Sequence, residues 1–158
     1  MNILEFAIDM ETEGKKFYLR HAEENKENSL YIIFKMLADD EKRHADILRA
    51  YQNQVKSELP DSYLSGHTDI FKGQIKNDIK QRPEQLDAYR EALKKEQESI
   101  DLYRSLLDKS DKIDDIDIFG YLIEQEELHF RLIDDLIYHL ERPASWVESA
   151  EFGVREDY

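Results

Sequence analysis

Residues 37–44 read LADDEKRH and residues 122–129 read LIEQEELH. Each carries a Glu followed three positions later by a His, a spacing that puts both side chains on one face of a helix. The two stretches lie 85 residues apart, and the match spreads outward from them at that same offset. Ile33, Phe34, Leu37, Glu41 and His44 align with Ile118, Phe119, Leu122, Glu126 and His129 without a gap. Upstream, Ala7, Glu11, Glu13 and Tyr18 align with Ala92, Glu96, Glu98 and Tyr103. The chain therefore reads as a tandem pair of similar units.

Four segments place apolar residues at helical spacing, and each stripe is interrupted by an acid. The first runs from about Ile3 to Glu24, with Leu4, Ala7, Glu11, Gly14, Tyr18 and His21 on one face. The second, about Ser29 to Lys56, aligns Ile33, Leu37, Glu41, His44, Leu48 and Tyr51. The third starts near Pro83 and aligns Tyr89, Leu93, Glu96, Ile100, Tyr103 and Leu107; the fourth, about Asp114 to Glu141, aligns Phe119, Leu122, Glu126, His129, Ile133 and Leu136. Glu11 and Glu41 are 30 residues apart, as are Glu96 and Glu126. If each pair stands level on antiparallel helices, the turns centre near residues 26 and 111. The sequence there reads NKEN and KSDK, both turn-compatible.

Short connections make two hairpins, and the stretch of about 26 residues between the second and third segments can carry the chain back along the bundle. The expected fold is all-α: a four-helix bundle of two helical hairpins joined by a long crossover, with room for a short helix inside it. The bundle spans about residues 3–141, and residues 142–158 form a C-terminal tail without the pattern. One domain is expected from 158 residues. Trp146, Phe152 and Val154 in the tail are read as packing residues.

Composition narrows the function. Lys and Arg number 22 against 36 Asp and Glu, a net charge of -14 that repels nucleic acid and anionic membrane surfaces. No cysteine is present, which excludes disulfides, thiolate metal sites and a cysteine nucleophile. The sequence opens without a basic, apolar leader, and no apolar run is long enough to span a bilayer, so a cytoplasmic setting is expected.

Four carboxylates inside apolar stripes demand compensation, because two such charges about 4 Å apart repel by about 4 kcal/mol even at an effective dielectric of 20. No Lys or Arg shares the stripes. Two divalent cations would balance Glu11, Glu41, Glu96 and Glu126, with His44 and His129 completing one coordination sphere each. This oxygen-rich set suits iron or manganese, and zinc can occupy it.

A Glu on each of two helices with Glu-x-x-His on the other two is the ligand pattern of ferritin-like di-metal bundles. With ETEGKKFY at 11–18 and EQESIDLY at 96–103 beside the two Glu-x-x-His stretches, the sequence resembles the rubrerythrin branch of that superfamily over nearly its whole length. The resemblance implies a di-iron centre in which Glu41 and Glu126 bridge, Glu11 and Glu96 are terminal ligands, and His44 and His129 cap one metal each. Tyr18 and Tyr103 would donate hydrogen bonds to the carboxylates, although packing alone also accounts for them. It further implies a homodimer and reduction of peroxide or dioxygen in oxidative-stress protection. Iron binding with ferroxidation and a non-catalytic metal-binding bundle are the alternatives.

Two features depart from the family. Ser99 stands where rubrerythrins usually carry an extra Glu, one turn after the third-helix ligand, so the site is symmetric. A Cys-rich rubredoxin domain is missing, so electrons would come from an external donor protein. Of the remaining histidines, His21 is read as a hydrogen-bonded core or bundle-end residue, and His67 and His139 are assigned no role.

Overall fold

The computed structural model describes residues 2–66 and 85–141, and these form four helices with no strand among them. Helix α1 spans Ile3–Glu24, α2 Leu30–Gln52, α3 Leu86–Asp108 and α4 Ile113–Leu140. The expected crossover helix, His67, Pro83 and the tail with Trp146, Phe152 and Val154 lie outside the described residues.

Local chemistry sets the helix ends. Asn2 caps α1 by accepting the Glu5 amide at 2.8 Å while the Glu5 carboxylate accepts the Asn2 amide, a reciprocal capping box. The first turn, residues 25–29, is closed by Asn25, whose Nδ2 donates to the His21 carbonyl at 2.7 Å. Asn25 also exchanges amide hydrogen bonds with Gln85 at 3.2 and 3.0 Å, tying this turn to the start of α3. Asn28 Oδ1 accepts the Leu30 amide at 2.9 Å and starts α2.

Helix α2 stops four residues before the expected Lys56, and α3 starts three residues after the expected Pro83. The early stop has a clear cause. Val55 N donates to Ala50 O at 2.8 Å and Gln54 N to Tyr51 O at 3.0 Å, a Schellman closure with Gln54 at φ 60°. Glycine usually fills that left-handed position because a Cβ is strained there. Gln54→Gly should therefore raise unfolding free energy by about 1 kcal/mol, measured by urea denaturation.

α1 packs along α2, and α3 along α4. Apolar residues gather in two clusters. One joins the end of α1, the start of α2, the start of α3 and the end of α4 through Phe17, Leu30, Phe34, Tyr89, Ile133 and Leu136. The other joins the opposite ends through Ala7, Leu48, Tyr103, Phe119 and Leu122. The two hairpin turns thus lie at opposite ends of the bundle, and the chain between α2 and α3 must traverse its length. Between the clusters, about 22 Å from each turn at 1.5 Å per residue, lies the level of the four interrupting acids.

Candidate metal centre

Helical periodicity fixes what reaches this level. Glu11 on α1 and Glu96 on α3 each precede a Tyr by two turns, and the Glu-x-x-His pairs of α2 and α4 turn both side chains inward. Glu11, His44, Glu126 and His129 are fully buried, and Glu41 and Glu96 nearly so. Ligand atoms of Glu11, Glu41, His44 and Glu126 all lie within 4.8 Å of one another, and so do those of Glu41, Glu96, Glu126 and His129. Glu41 and Glu126 belong to both groups. The two groups therefore describe two cation positions with a shared pair of carboxylates.

Hydrogen bonds cross between the repeats. Tyr18 O–H donates to Glu96 Oε1 and Tyr103 O–H to Glu11 Oε1, both at 2.5 Å. Glu11 and Glu96 so keep one oxygen engaged, while the other is buried without a hydrogen bond. His44 Nδ1 lies 2.8 Å from Glu126 Oε1 and 3.4 Å from Glu11 Oε2. His129 Nδ1 lies 3.0 Å from Glu41 Oε1 and 3.4 Å from Glu96 Oε1. The rings' far sides are anchored: His44 Nε2 lies 3.1 Å from Gln125 Oε1 and His129 Nε2 2.8 Å from Asp40 Oδ2.

The electrostatics divide the carboxylates in two. Burial, reinforced by the surrounding carboxylates, pushes Glu41 and Glu126 well above the usual carboxyl range. Burial also acts on Glu11, but the neighbouring His44 and hydrogen bonds, including that from Tyr103, outweigh it and hold the group down at about 2. Glu96 is lowered in the same way, with His129 outweighing burial. Burial alone would depress His129, yet Glu96, Asp40 and Glu126 hold it well above its ordinary value. Burial and Glu96 raise the Tyr18 phenol, as burial and Glu11 raise Tyr103, so both remain donors at neutral pH.

A divalent pair fits this donor set. Glu11 Oε2, Glu41 Oε1, Glu96 Oε2, Glu126 Oε2 and His129 Nδ1 are buried and make no hydrogen bond. Unsatisfied buried oxygens and nitrogens cost free energy that coordination would recover.

The site has an opening. A cleft of about 280 Å³ is lined by Phe6, Met10, Phe17, Gly14 and Ser99, and it reaches Glu41 and Glu96. A Cβ on Gly14 would stand 2.8 Å from Glu41 Oε2, so any side chain here would press on the Glu41 carboxylate and turn it aside. Gly14→Ala should displace the Glu41 carboxylate and lower Fe(II) affinity at least about tenfold in anaerobic calorimetry; unchanged affinity would show that Glu41 has room to yield. Gly14 and Ser99 are equivalent positions of the two repeats, each three residues after a terminal acid.

His21 sits at the bundle end, packed on Phe17 and Phe34 with Nδ1 3.3 Å from Glu24, outside the two clustered groups of Glu and His. His139 Nε2 lies 3.9 Å from Asp135 in the last turns of α4. Periodicity did not single out Asp40, Gln125 or Ser62, and it placed Gly14 on the inner face without a role. For Asp40 and Gln125 a signal was present: each immediately precedes a shared Glu, one position off the stripe.

Fold and site together define a four-helix bundle whose buried carboxylates and imidazoles form two groups that could each hold a metal ion. The family model for rubrerythrin matches residues 2–137. The chain thus belongs to the rubrerythrin family, and its buried Glu and His groups are compatible with a di-iron site. No curated protein and no solved structure gives a significant match. No helix among the described residues is long and apolar enough to cross a membrane.

Proposed function

We propose that the protein is a di-iron carboxylate oxidoreductase that reduces peroxide or dioxygen with electrons from an external donor. The observation that carries this reading is the pair of four-ligand groups sharing Glu41 and Glu126, with a cleft that leads to one of the shared carboxylates. A bound iron pair would supply two electrons, enough to reduce hydrogen peroxide to water or dioxygen to peroxide. The chain's own residues do the rest. Tyr18 and Tyr103 hold Glu96 and Glu11 in place through charge-assisted hydrogen bonds. Burial makes Glu41 and Glu126 hold their protons more tightly than ordinary carboxyls, and bound cations would displace those protons. Phe6, Met10 and Phe17 keep the approach to Glu41 partly apolar, which limits competing water.

Because the chain has no cysteine, it carries no thiol relay of its own, which supports a separate electron-donor protein. A homodimer acting in the cytoplasm in oxidative-stress protection completes the reading.

One observation favours a second reading. Exposed Asp9, Glu13 and Glu98 line the same cleft, where they would attract cations, so Fe(II) itself could be the substrate of a ferroxidase. Stopped-flow mixing of the anaerobically Fe(II)-loaded protein with hydrogen peroxide or dioxygen separates the two. Oxidation faster than that of free Fe(II), with turnover when an external donor is supplied, supports the oxidoreductase. Catalytic consumption of excess Fe(II) with mineral formation supports iron handling instead.

A further inference from the structure

The six ligands are symmetric under the repeat, but what stands behind the two imidazoles is not. Asp40 and Gln125 are equivalent positions, each immediately before a shared Glu. Each reaches across to the histidine of the other repeat. His129 Nε2 donates to Asp40 Oδ2 at 2.8 Å, whereas His44 Nε2 donates to Gln125 Oε1 at 3.1 Å. Both contacts hold the ring by Nε2 and turn Nδ1 toward the carboxylates, where His44 Nδ1 lies 2.8 Å from Glu126 Oε1 and His129 Nδ1 3.0 Å from Glu41 Oε1. They differ in strength and charge. A hydrogen bond to an ionised acceptor is roughly twice as strong as a neutral one, and a carboxylate behind an imidazole makes its other nitrogen a better electron donor.

Asp40 is itself held. Ser62 Oγ donates to its Oδ2, and the Tyr63 amide donates to its Oδ1 at 3.0 Å. Both residues belong to the start of the crossover. That segment is docked further by Arg43, which donates to the Asp61 carbonyl at 2.7 Å and lies 4.0 Å over the Tyr63 ring. Tyr121 O–H also donates to the Pro60 carbonyl at 2.5 Å. Among the described residues no hydrogen bond comparable to those from Ser62 and Tyr63 is seen to Gln125, whose Oε1 meets His44 Nε2.

We propose that the two metal positions are inequivalent, and that the one capped by His129 fills first because Asp40, braced by Ser62 and Tyr63, backs that ligand. Filling this position also tightens the start of the crossover, since His129, Asp40, Ser62 and Tyr63 form one chain of contacts. The inference rests on the two-metal reading given above.

Anaerobic titration of the full chain with Fe(II) tests it, with calorimetry giving the affinity of each step and paramagnetically shifted imidazole N–H signals giving its position. The first equivalent should bind at least about tenfold tighter than the second and shift the signal that His129→Ala removes. Amides of Tyr63 and Leu64 should gain hydrogen-exchange protection with that first equivalent. Asp40→Asn should weaken the first step by about ten to a hundredfold and the second far less. Because Asp40→Asn also loosens Ser62 and Tyr63, Gln125→Glu is the independent check: it should strengthen the second step and narrow the gap. Two equal steps, a first equivalent that shifts the His44 signal, or a gap unmoved by Gln125→Glu would overturn the order of filling while leaving the two-metal centre standing. Failure to bind any Fe(II) would overturn both.

Discussion

Replacing Glu41 and Glu126 together with Ala should take the protein from two bound irons per chain to fewer than one. Each residue belongs to both ligand groups, so the double variant strips two carboxylates from each position and leaves only one Glu and one His there. A single shared carboxylate lost would weaken both positions, and losing both removes the two side chains that the groups have in common. By contrast, Glu11→Ala removes a ligand from one group only and should spare the other position. Metal analysis after anaerobic Fe(II) loading and desalting reads both results directly. Two irons retained by the double variant would refute the ligand assignment.

The second large effect is on stability, and it has a definite sign. In the chelator-treated protein Glu41 and Glu126 titrate well above an unfolded carboxyl, so their protonated forms favour the fold. That contribution is full below the unfolded value and is lost as pH rises through the folded one. His129, also raised, acts in the same direction from the imidazole range upward. Glu11, held down at about 2, and the lowered Glu96 and Asp40 act oppositely, losing their contribution as the solution becomes strongly acidic. Stability without metal should therefore be greatest in mildly acidic solution and fall toward pH 8. Converting Glu41 and Glu126 to Gln should raise it at pH 8 by about 1–4 kcal/mol, the order by which replacing buried ionic groups with uncharged side chains of similar volume can stabilise, and should flatten the decline. The same double variant should bind no metal pair. Urea denaturation of wild type and variant across pH 5–8 measures the difference; a wild-type stability that rises toward pH 8 would contradict the electrostatics.

Much of this architecture is written in the stripes. Acids interrupting apolar faces at equal distances from two polar turns marked the bundle and the level of the site, because helix rise converts sequence separation into height. The crossover was legible as a length, since the two turns lie at opposite ends. What stands behind the ligands was harder to read. Asp40 sits one residue off the stripe in a run of charges, and only tertiary packing sends its carboxylate across to His129 rather than into solvent. Ser62 comes from a stretch without periodicity, where pattern carries no information about neighbours. Gly14 read as a small residue on the inner face, yet its role depends on where the Glu41 carboxylate points, which spacing does not encode. The stop at Gln52 was missed because Gln54 adopts a left-handed conformation that its residue type does not advertise.

The central question is whether these six side chains hold two ions at once. The most direct measurement is the iron content of the full chain after anaerobic Fe(II) loading and removal of free metal. Close to two irons per chain, with the count falling below one in the Glu41 and Glu126 double Ala variant, is the predicted result. Less than one iron per chain in the wild type would contradict it.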